Sequence, residues 1–509
     1  MKRSKVILFN TLLLTAAAML MRAVGVFFQV YLSNKIGSAG IGLFQLIGSV
    51  ETLAMTVAIS GVRYATTRLV AEELGLDRPR GAVAAVRRCL GHALFFGCLA
   101  AGLLFSFSNL IGSVWIGDSR TVLSLRLLAC ALPFSAMSAV IAGYFTAVQR
   151  VIKSAGVQIA ENLIRIAAIV FFLRLVPPNN LEYACAAVVA GGVFGEIMGL
   201  FFIIMLYLYD KKRLGKTGAQ PKKLVGRLLH ISLPVAASAY ARSALSTLEH
   251  MLVPRGLKKS GASGDTALEL YGTIHGMVFP IIMFPSAVFY SMSELIVPEL
   301  TEAQVVGNTA KIEFIVNRVL SLCLLFSIGV AGILLCFHKE FGDLLYRDAE
   351  VGKYIFIFAF LMPVIYMDAI TDGMLKGLGQ QLHSMAYNVA DSLISVILVY
   401  TLLPIYSIRA YIFIVYFTES FNFFLSIRRI SKVTNLKLRI RDIVLPALCI
   451  AGAVNFATLL LRTVGIIPGS GGLTLTFSIL VSGVIYIGML LLLGSLTKND
   501  VRWFREILK

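Results

Sequence analysis

Apolar stretches of about 20 residues recur along this chain from one end to the other, bounded by charged residues or by glycine and proline. A stretch of that length, wound as a helix, crosses a bilayer core of roughly 30 Å. Inside lipid each segment must satisfy its own backbone hydrogen bonds, so the recurrence dictates a bundle of membrane-spanning helices. Composition enters as a check. Over 509 residues 58% are apolar, 14% are charged and the mean hydropathy is +0.84. Soluble domains have about 45–50% and about 25%. One anchor on a soluble body could not produce such averages, and a soluble enzyme is excluded.

Fourteen spans are expected, near residues 7–33, 41–67, 89–111, 121–148, 155–176, 183–208, 230–253, 271–297, 314–336, 354–376, 384–404, 407–427, 443–463 and 473–494. The first follows Lys2, Arg3 and Lys5 as a signal peptide would. It runs too long, carries Arg22 and lacks a small-residue cleavage site, so it reads as a retained helix. The net charge of +19 would suggest nucleic acid in a soluble chain. Here it reflects basic loops on one membrane side. With the N-terminus inside, about 29 Lys and Arg fall in inner segments and about 10 in outer loops, among them Arg78, Arg80, Arg87, Arg88, Arg428 and Arg429 inside. A plasma-membrane protein with both termini cytoplasmic and no nucleic-acid partner is expected.

The span at 121–148 and the one after it recur 230 residues later without a gap. Leu132-Pro-Phe-Ser-Ala-Met137 meets Met362-Pro-Val-Ile-Tyr-Met367, Gly143 meets Gly373, and Ala160-Glu161 meets Ala390-Asp391. At an offset of 220, Arg22 meets Arg242. A six-span unit ends on the side where it began, so its copy inserts in the same orientation, the parallel-repeat arrangement of several transporters. The expected organisation is therefore an N-lobe at 1–209, a basic cytoplasmic linker at 210–229 and a C-lobe at 230–430. Residues 431–509 would add two helices and a short amphipathic tail on the inner leaflet, with Trp503 and Phe504. Two such lobes around a central cleft can expose it to either side in turn.

Ionisable groups at bilayer depth are costly and usually face a cavity or one another. Arg22 and Arg242 lie well inside the first helix of each lobe; Arg63 is nearer a span end. Arg165 has Glu161 one turn earlier as a potential ion partner, and Glu51 lies at the depth of Arg22. Asp368, Asp372 and Lys376 share a helix face, and Asn388 precedes Asp391 by three residues, a set suited to a proton or a sodium ion or to helix packing. A guanidinium presents a planar, permanently charged fork that pairs bidentately with phosphate. An arginine-lined cleft therefore suits an anionic, phosphate-bearing substrate and repels organic cations.

Other motifs fall away. The seven cysteines lie in or beside apolar runs without a CxxC pair and imply neither disulfide nor metal. The histidines show no HExxH spacing. Gly215-Lys216-Thr217 resembles the end of a phosphate-binding loop, but Asp210 stands where the first glycine is required. Energy must then come from an ion gradient, the membrane potential or the substrate gradient. Gly191, Gly195 and Gly199 form a small-residue stripe suited to close helix packing, and a monomer is expected.

The run Gly25-Val-Phe-Phe-Gln-Val-Tyr-Leu-Ser-Asn-Lys-Ile-Gly-Ser-Ala-Gly-Ile-Gly-Leu-Phe-Gln45 resembles the opening of the stage V sporulation protein B group. So do Leu252-Val-Pro-Arg-Gly-Leu257, Leu270-Tyr-Gly-Thr273 and Leu295-Ile-Val-Pro-Glu-Leu-Thr-Glu-Ala303. That group belongs to the polysaccharide transporters of the multidrug/oligosaccharidyl-lipid/polysaccharide flippase superfamily. The resemblance implies two six-helix lobes with two extra helices and alternating access on a lipid-linked saccharide, and no resident cofactor is expected beyond a coupling Na+ or H+. By analogy with the superfamily's lipid II flippases, Arg22 and Arg242 would contact the substrate diphosphate, with Arg63 and Arg165 as further candidates. Two rivals remain. A multidrug antiporter would favour twelve spans and an acidic cavity, and a non-transporting scaffold for sporulation or wall synthesis would favour long loops or soluble domains.

Overall fold

The computed structural model describes residues 2–177, 180–212, 224–436, 441–463 and 471–496. Most of the expected basic linker, including Gly215-Lys216-Thr217, and the expected amphipathic tail lie outside the described residues. The described chain is helical almost throughout and contains no strand. Its helices are α1 (Lys2–Ile59), α2 (Val62–Gly75), α3 (Pro79–Asn109), α4 (Val122–Ala147), α5 (Val151–Leu175), α6 (Leu181–Lys211), α7 (Leu224–Lys259), α8 (Gly264–Gly272) and α9 (Phe279–Met283). There follow α10 (Ala287–Val305), α11 (Thr309–Cys336), α12 (His338–Phe341), α13 (Ala349–Ala359), α14 (Met362–Gly377), α15 (Gln381–Val433), α16 (Arg441–Thr463) and α17 (Gly472–Leu492).

Among the described residues ten helices, or eleven counting the bent pair α13–α14, are long and apolar enough to cross a membrane. That count does not reach the fourteen expected spans. One of the ten, Met19–Gly75, runs 57 residues and another, Gln381–Val433, runs 53, and each is broken inside. In α1 the break is Gly37, at φ 72°, a left-handed conformation that glycine adopts without a Cβ clash. In α15 it is Ser407, at φ 54°, three residues after Pro404, whose missing N–H leaves the helix weak at that point.

Contacts divide the chain into two compact units, and their boundaries are not those of the expected lobes. One unit comprises Met1–Lys35 and Leu270–Lys509; the other is Ile36–Glu269. The first half of α1 therefore belongs with the C-terminal helices. Gln29 Nε2 donates to the Gly276 carbonyl at 3.0 Å and Asn34 Nδ2 to the Leu345 carbonyl at 3.0 Å. Conversely α7 belongs with the helices of residues 36–211. Tyr240 Oη donates to Ser60 Oγ at 2.7 Å, and Thr247 Oγ1 to the Ser49 carbonyl at 3.0 Å. The approach is closest at Gly61, where a Cβ would stand 2.6 Å from the Ser232 carbonyl oxygen, so only glycine fits. The leading helix of each expected lobe is thus grouped with the other's helices.

Within the unit of residues 36–269, α5 and α6 meet along the glycine stripe. A Cβ at Gly191 would lie 2.7 Å from the Ile169 nitrogen, and one at Gly195 would lie 2.8 Å from Arg165 Cβ. Close backbone approach is what small residues permit where lipid removes any hydrophobic driving force between helices. In the other unit α16 and α17 dock on α11. Gly332 receives Ile450, and Tyr486 donates to the Leu325 carbonyl at 2.7 Å.

Candidate functional site

The unit of residues 36–269 holds a polar network within its apolar helices. Arg165 on α5 donates through Nη2 to Glu161 Oε1 at 2.7 Å, one turn away on the same face. The same nitrogen reaches Glu196 Oε1 on α6 at 3.0 Å. Ser135 on α4 donates to the other Glu196 oxygen, Oε2. Glu51, on the second half of α1, feels the charges of both Arg165 and Glu196. The network is positioned by the absence of side chains. Gly195 and Gly199 leave room for the Arg165 backbone and the Glu161 carboxylate against α6. One guanidinium thus bonds two carboxylates, and its charge is engaged by acids of its own unit.

Two other candidate arginines in this unit stand differently. Arg63 on α2 and Arg242 on α7 are both exposed, and neither side chain has a hydrogen-bond or ion-pair partner among the described residues. They lie on adjoining helices. Tyr240 is bonded to Ser60, Ser243 accepts a 3.4 Å hydrogen bond from Thr56 Oγ1, and Arg63 follows one turn on. At the end of α2, Arg68 pairs with Glu72 at 3.0 Å. Arg227, near the start of α7, bonds Glu72 and also Glu73, the latter at 3.3 Å. These pairs pin the beginning of α7 to α2. A further staple closes the same unit: Asp210, 2% exposed, accepts from Tyr144 Oη at 2.9 Å, from Lys153 Nζ at 2.7 Å and from Arg150.

In the other unit Arg22 is exposed on the first half of α1. The acids expected to act together there form two groups. Asn422 Nδ2 on α15 donates to Asp368 Oδ2 on α14 at 3.0 Å and to Asn388 Oδ1 at 3.2 Å. Asp372 instead pairs with Lys376 at 2.5 Å and accepts from Ser384. Asp368 Oδ1 and Asn422 Oδ1 are buried and have no hydrogen-bond partner among the described residues. Asp391 is half-buried three residues after Asn388. Buried oxygens without donors are expensive, and a bound proton or cation is one way to satisfy them. The same unit encloses an apolar cavity of about 400 Å³ between α10, α11 and α17, lined by Phe289, Met292, Leu325, Ile333 and Tyr486 among others.

Three participants escaped the sequence reading. Glu196 and Asn422 each interrupt an apolar span, a signal that was available, and Ser135 is one of many helix serines. The repeat register carries a further hint. At the 230-residue offset Glu196 corresponds to Ser426, Gly192 to Asn422 and Ser138 to Asp368, so both polar groups occupy related positions on related helices.

Comparison with known proteins adds three findings. Residues 7–295 match the family described as "Polysaccharide biosynthesis protein". Among curated relatives, the stage V sporulation protein B of Bacillus subtilis (strain 168) is 25% identical over 403 residues, 77% of each chain. The lipid II flippase MurJ of the same organism is 20% identical over 427 residues, 78% of this chain and 77% of that one. A solved structure of a lipid II flippase MurJ in an inward closed conformation superposes with a TM-score of 0.68 over 98% of this chain and 100% of that one, at 12% identity. That last likeness is one of fold.

Proposed function

This chain belongs to the polysaccharide biosynthesis protein family, and on that premise we propose that it flips a lipid-linked oligosaccharide or cell-wall precursor across the plasma membrane. It is a multi-pass membrane flippase or transporter of the multidrug/oligosaccharidyl-lipid/polysaccharide superfamily. The finer reading concerns the substrate, an undecaprenyl-diphosphate saccharide of the lipid II type moved by alternating access. The observation that carries it is the pair Arg63 and Arg242, exposed on adjoining helices with no acid taking up their charge among the described residues. Guanidiniums held so in a membrane protein are places for phosphate groups, since a planar fork matches phosphate oxygens and does not deprotonate. Arg165 serves in the acid network rather than at the substrate.

We assign the coupling ion, sodium or a proton, to Asp368, Asn388 and Asn422, with Asp391 one turn on, because two of their buried oxygens have no donor. The carboxylate excess around Arg165 is what a multidrug or cation antiporter would also display. It lies within the α4–α5–α6 packing, so the exposed arginines favour the anionic substrate.

The experiment is leaflet exchange of a fluorescent polyprenyl-diphosphate saccharide in liposomes holding the purified full-length protein. Exchange by the wild type that falls at least about tenfold in Arg63→Ala and in Arg242→Ala, each truncation removing a charge-assisted hydrogen bond of about 1.5–3 kcal/mol, supports the reading. Undiminished exchange in the double variant would remove these arginines from the substrate site. Absence of exchange, together with transport of a lipophilic cation, would replace the flippase with the antiporter.

A further inference from the structure

Beyond the transported substrate, the geometry points to a separate binding site for an anionic phospholipid of the surrounding bilayer, in the groove between α5 and α6. The groove follows from the glycine stripe. From Gly191 to Gly199 the two helices touch through Ile169, Arg165 and Glu161. Beyond Gly199, α6 continues with Phe202, Met205 and Leu206 and has no further glycine, so bulky side chains hold the helices apart. A cavity of about 470 Å³ opens there, walled by Ile152, Val157, Phe202 and Met205. Its floor passes over Gly156, where an added Cβ would meet no atom within 4 Å. Between Lys153 and Ala160 the groove extends roughly 10 Å along α5, at 1.5 Å per residue, enough for a stretch of acyl chain.

The two ends differ. One is closed by the Glu161 carboxylate lying against Gly199. The other is a collar of Arg150 and Lys153 on Asp210, two positive charges against one negative, a net +1. Asp210 is 2% exposed and faces inward, accepting from Tyr144, Arg150 and Lys153. The side chains of Arg150 and Lys153 stay 46% and 30% exposed, so they are held in place while further N–H donors point outward. Lys153 sits over the Phe145 ring, 5.7 Å from its centroid, which fixes it at the groove mouth. An apolar trough about one chain wide that ends in a fixed cationic collar matches a phosphodiester headgroup with its acyl tail. The net positive collar disfavours a headgroup that carries its own cation, so the lipid is anionic rather than zwitterionic. Its role would be to hold α5 and α6 together below the glycine stripe, where the side chains do not meet.

The test uses the purified full-length protein in neutral detergent, with phosphatidylglycerol or phosphatidylcholine added. Its readouts are the thermal unfolding midpoint and retention of lipid in native mass spectrometry. The expected result is saturable stabilisation and retention of phosphatidylglycerol over phosphatidylcholine. Lys153→Gln should weaken phosphatidylglycerol roughly tenfold, the scale of one charge-assisted hydrogen bond, and Lys153→Arg should restore it. Gly156→Leu fills the trough and leaves the Asp210 staple untouched; it should abolish retention in a protein that unfolds normally without lipid. Equal behaviour of the two lipids would overturn the proposal, as would wild-type retention by Gly156→Leu. Equal stabilisation by glycerol phosphate alone would also overturn it, since the groove would then contribute nothing.

Discussion

Adding one methyl group to the glycine stripe of α6 tests how the network around Arg165 is held. In Gly191→Ala the new Cβ would stand 2.5 Å from Ile169 Cγ1 and 2.7 Å from the Ile169 nitrogen; in Gly195→Ala it would stand 2.8 Å from Arg165 Cβ. Ordinary contact begins at 3.4 Å, and these neighbours are backbone or the root of a side chain, which cannot swing aside. The helices must therefore part by roughly 0.6–0.9 Å, an overpacking strain of about 1–3 kcal/mol. The same shift would carry the 3.0 Å bond between Arg165 and Glu196 to about 3.6 Å or beyond, past hydrogen-bonding range. Gly192→Ala is the internal control, since a Cβ there meets nothing within 4 Å and the helix-propensity gain is the same. Thermal unfolding in detergent should place Gly191→Ala and Gly195→Ala well below Gly192→Ala. Combined with Glu196→Ala, Gly195→Ala should cost less than it does alone, because the bond it stretches is already gone. If all three alanine variants unfold together, the stripe is not a contact seam and the reasoning fails.

The remaining expectations are simpler. Asp210→Asn should lower the unfolding midpoint by the equivalent of about 1–3 kcal/mol, since it strips charge from a buried acceptor of three donors whose basic partners can still turn to solvent. Tyr144→Phe, which removes only one of those donors, should cost about 1 kcal/mol in the same melt. Asp368→Asn should leave folding intact and erase the dependence of saccharide exchange on a sodium or proton gradient in liposomes. Retained gradient dependence would move the coupling ion elsewhere.

Much of the molecule was legible in the chain because lipid imposes a coarse rule. A backbone that must bond to itself over a fixed thickness leaves a hydropathy signature, so the helical bundle, its two internal breaks near residues 37 and 407 and the glycine stripe were open to sequence reading. The same rule marks charged residues in apolar spans as exceptions, which singled out Arg165, Glu161 and Asp368. It is silent on what each exception touches. Glu51 was matched by depth with Arg22, and the structure adds the charges of Arg165 and Glu196 around it. Asp372 shared a helix face with Asp368, yet it turned to Lys376 and Ser384 while Asp368 met Asn422 across helices.

The sequence by itself determined that the chain is a bundle of apolar helices and which polar groups are out of place in them, because those depend on local composition and helix geometry. Only the tertiary structure decided that the first half of α1 joins residues 270–509 and that α7 joins residues 36–269. Apolar helices in lipid have no preferred neighbour by hydropathy. Their partners are chosen by single close approaches and single hydrogen bonds, such as Gly61 against Ser232 and Gln29 against Gly276, which no periodicity records.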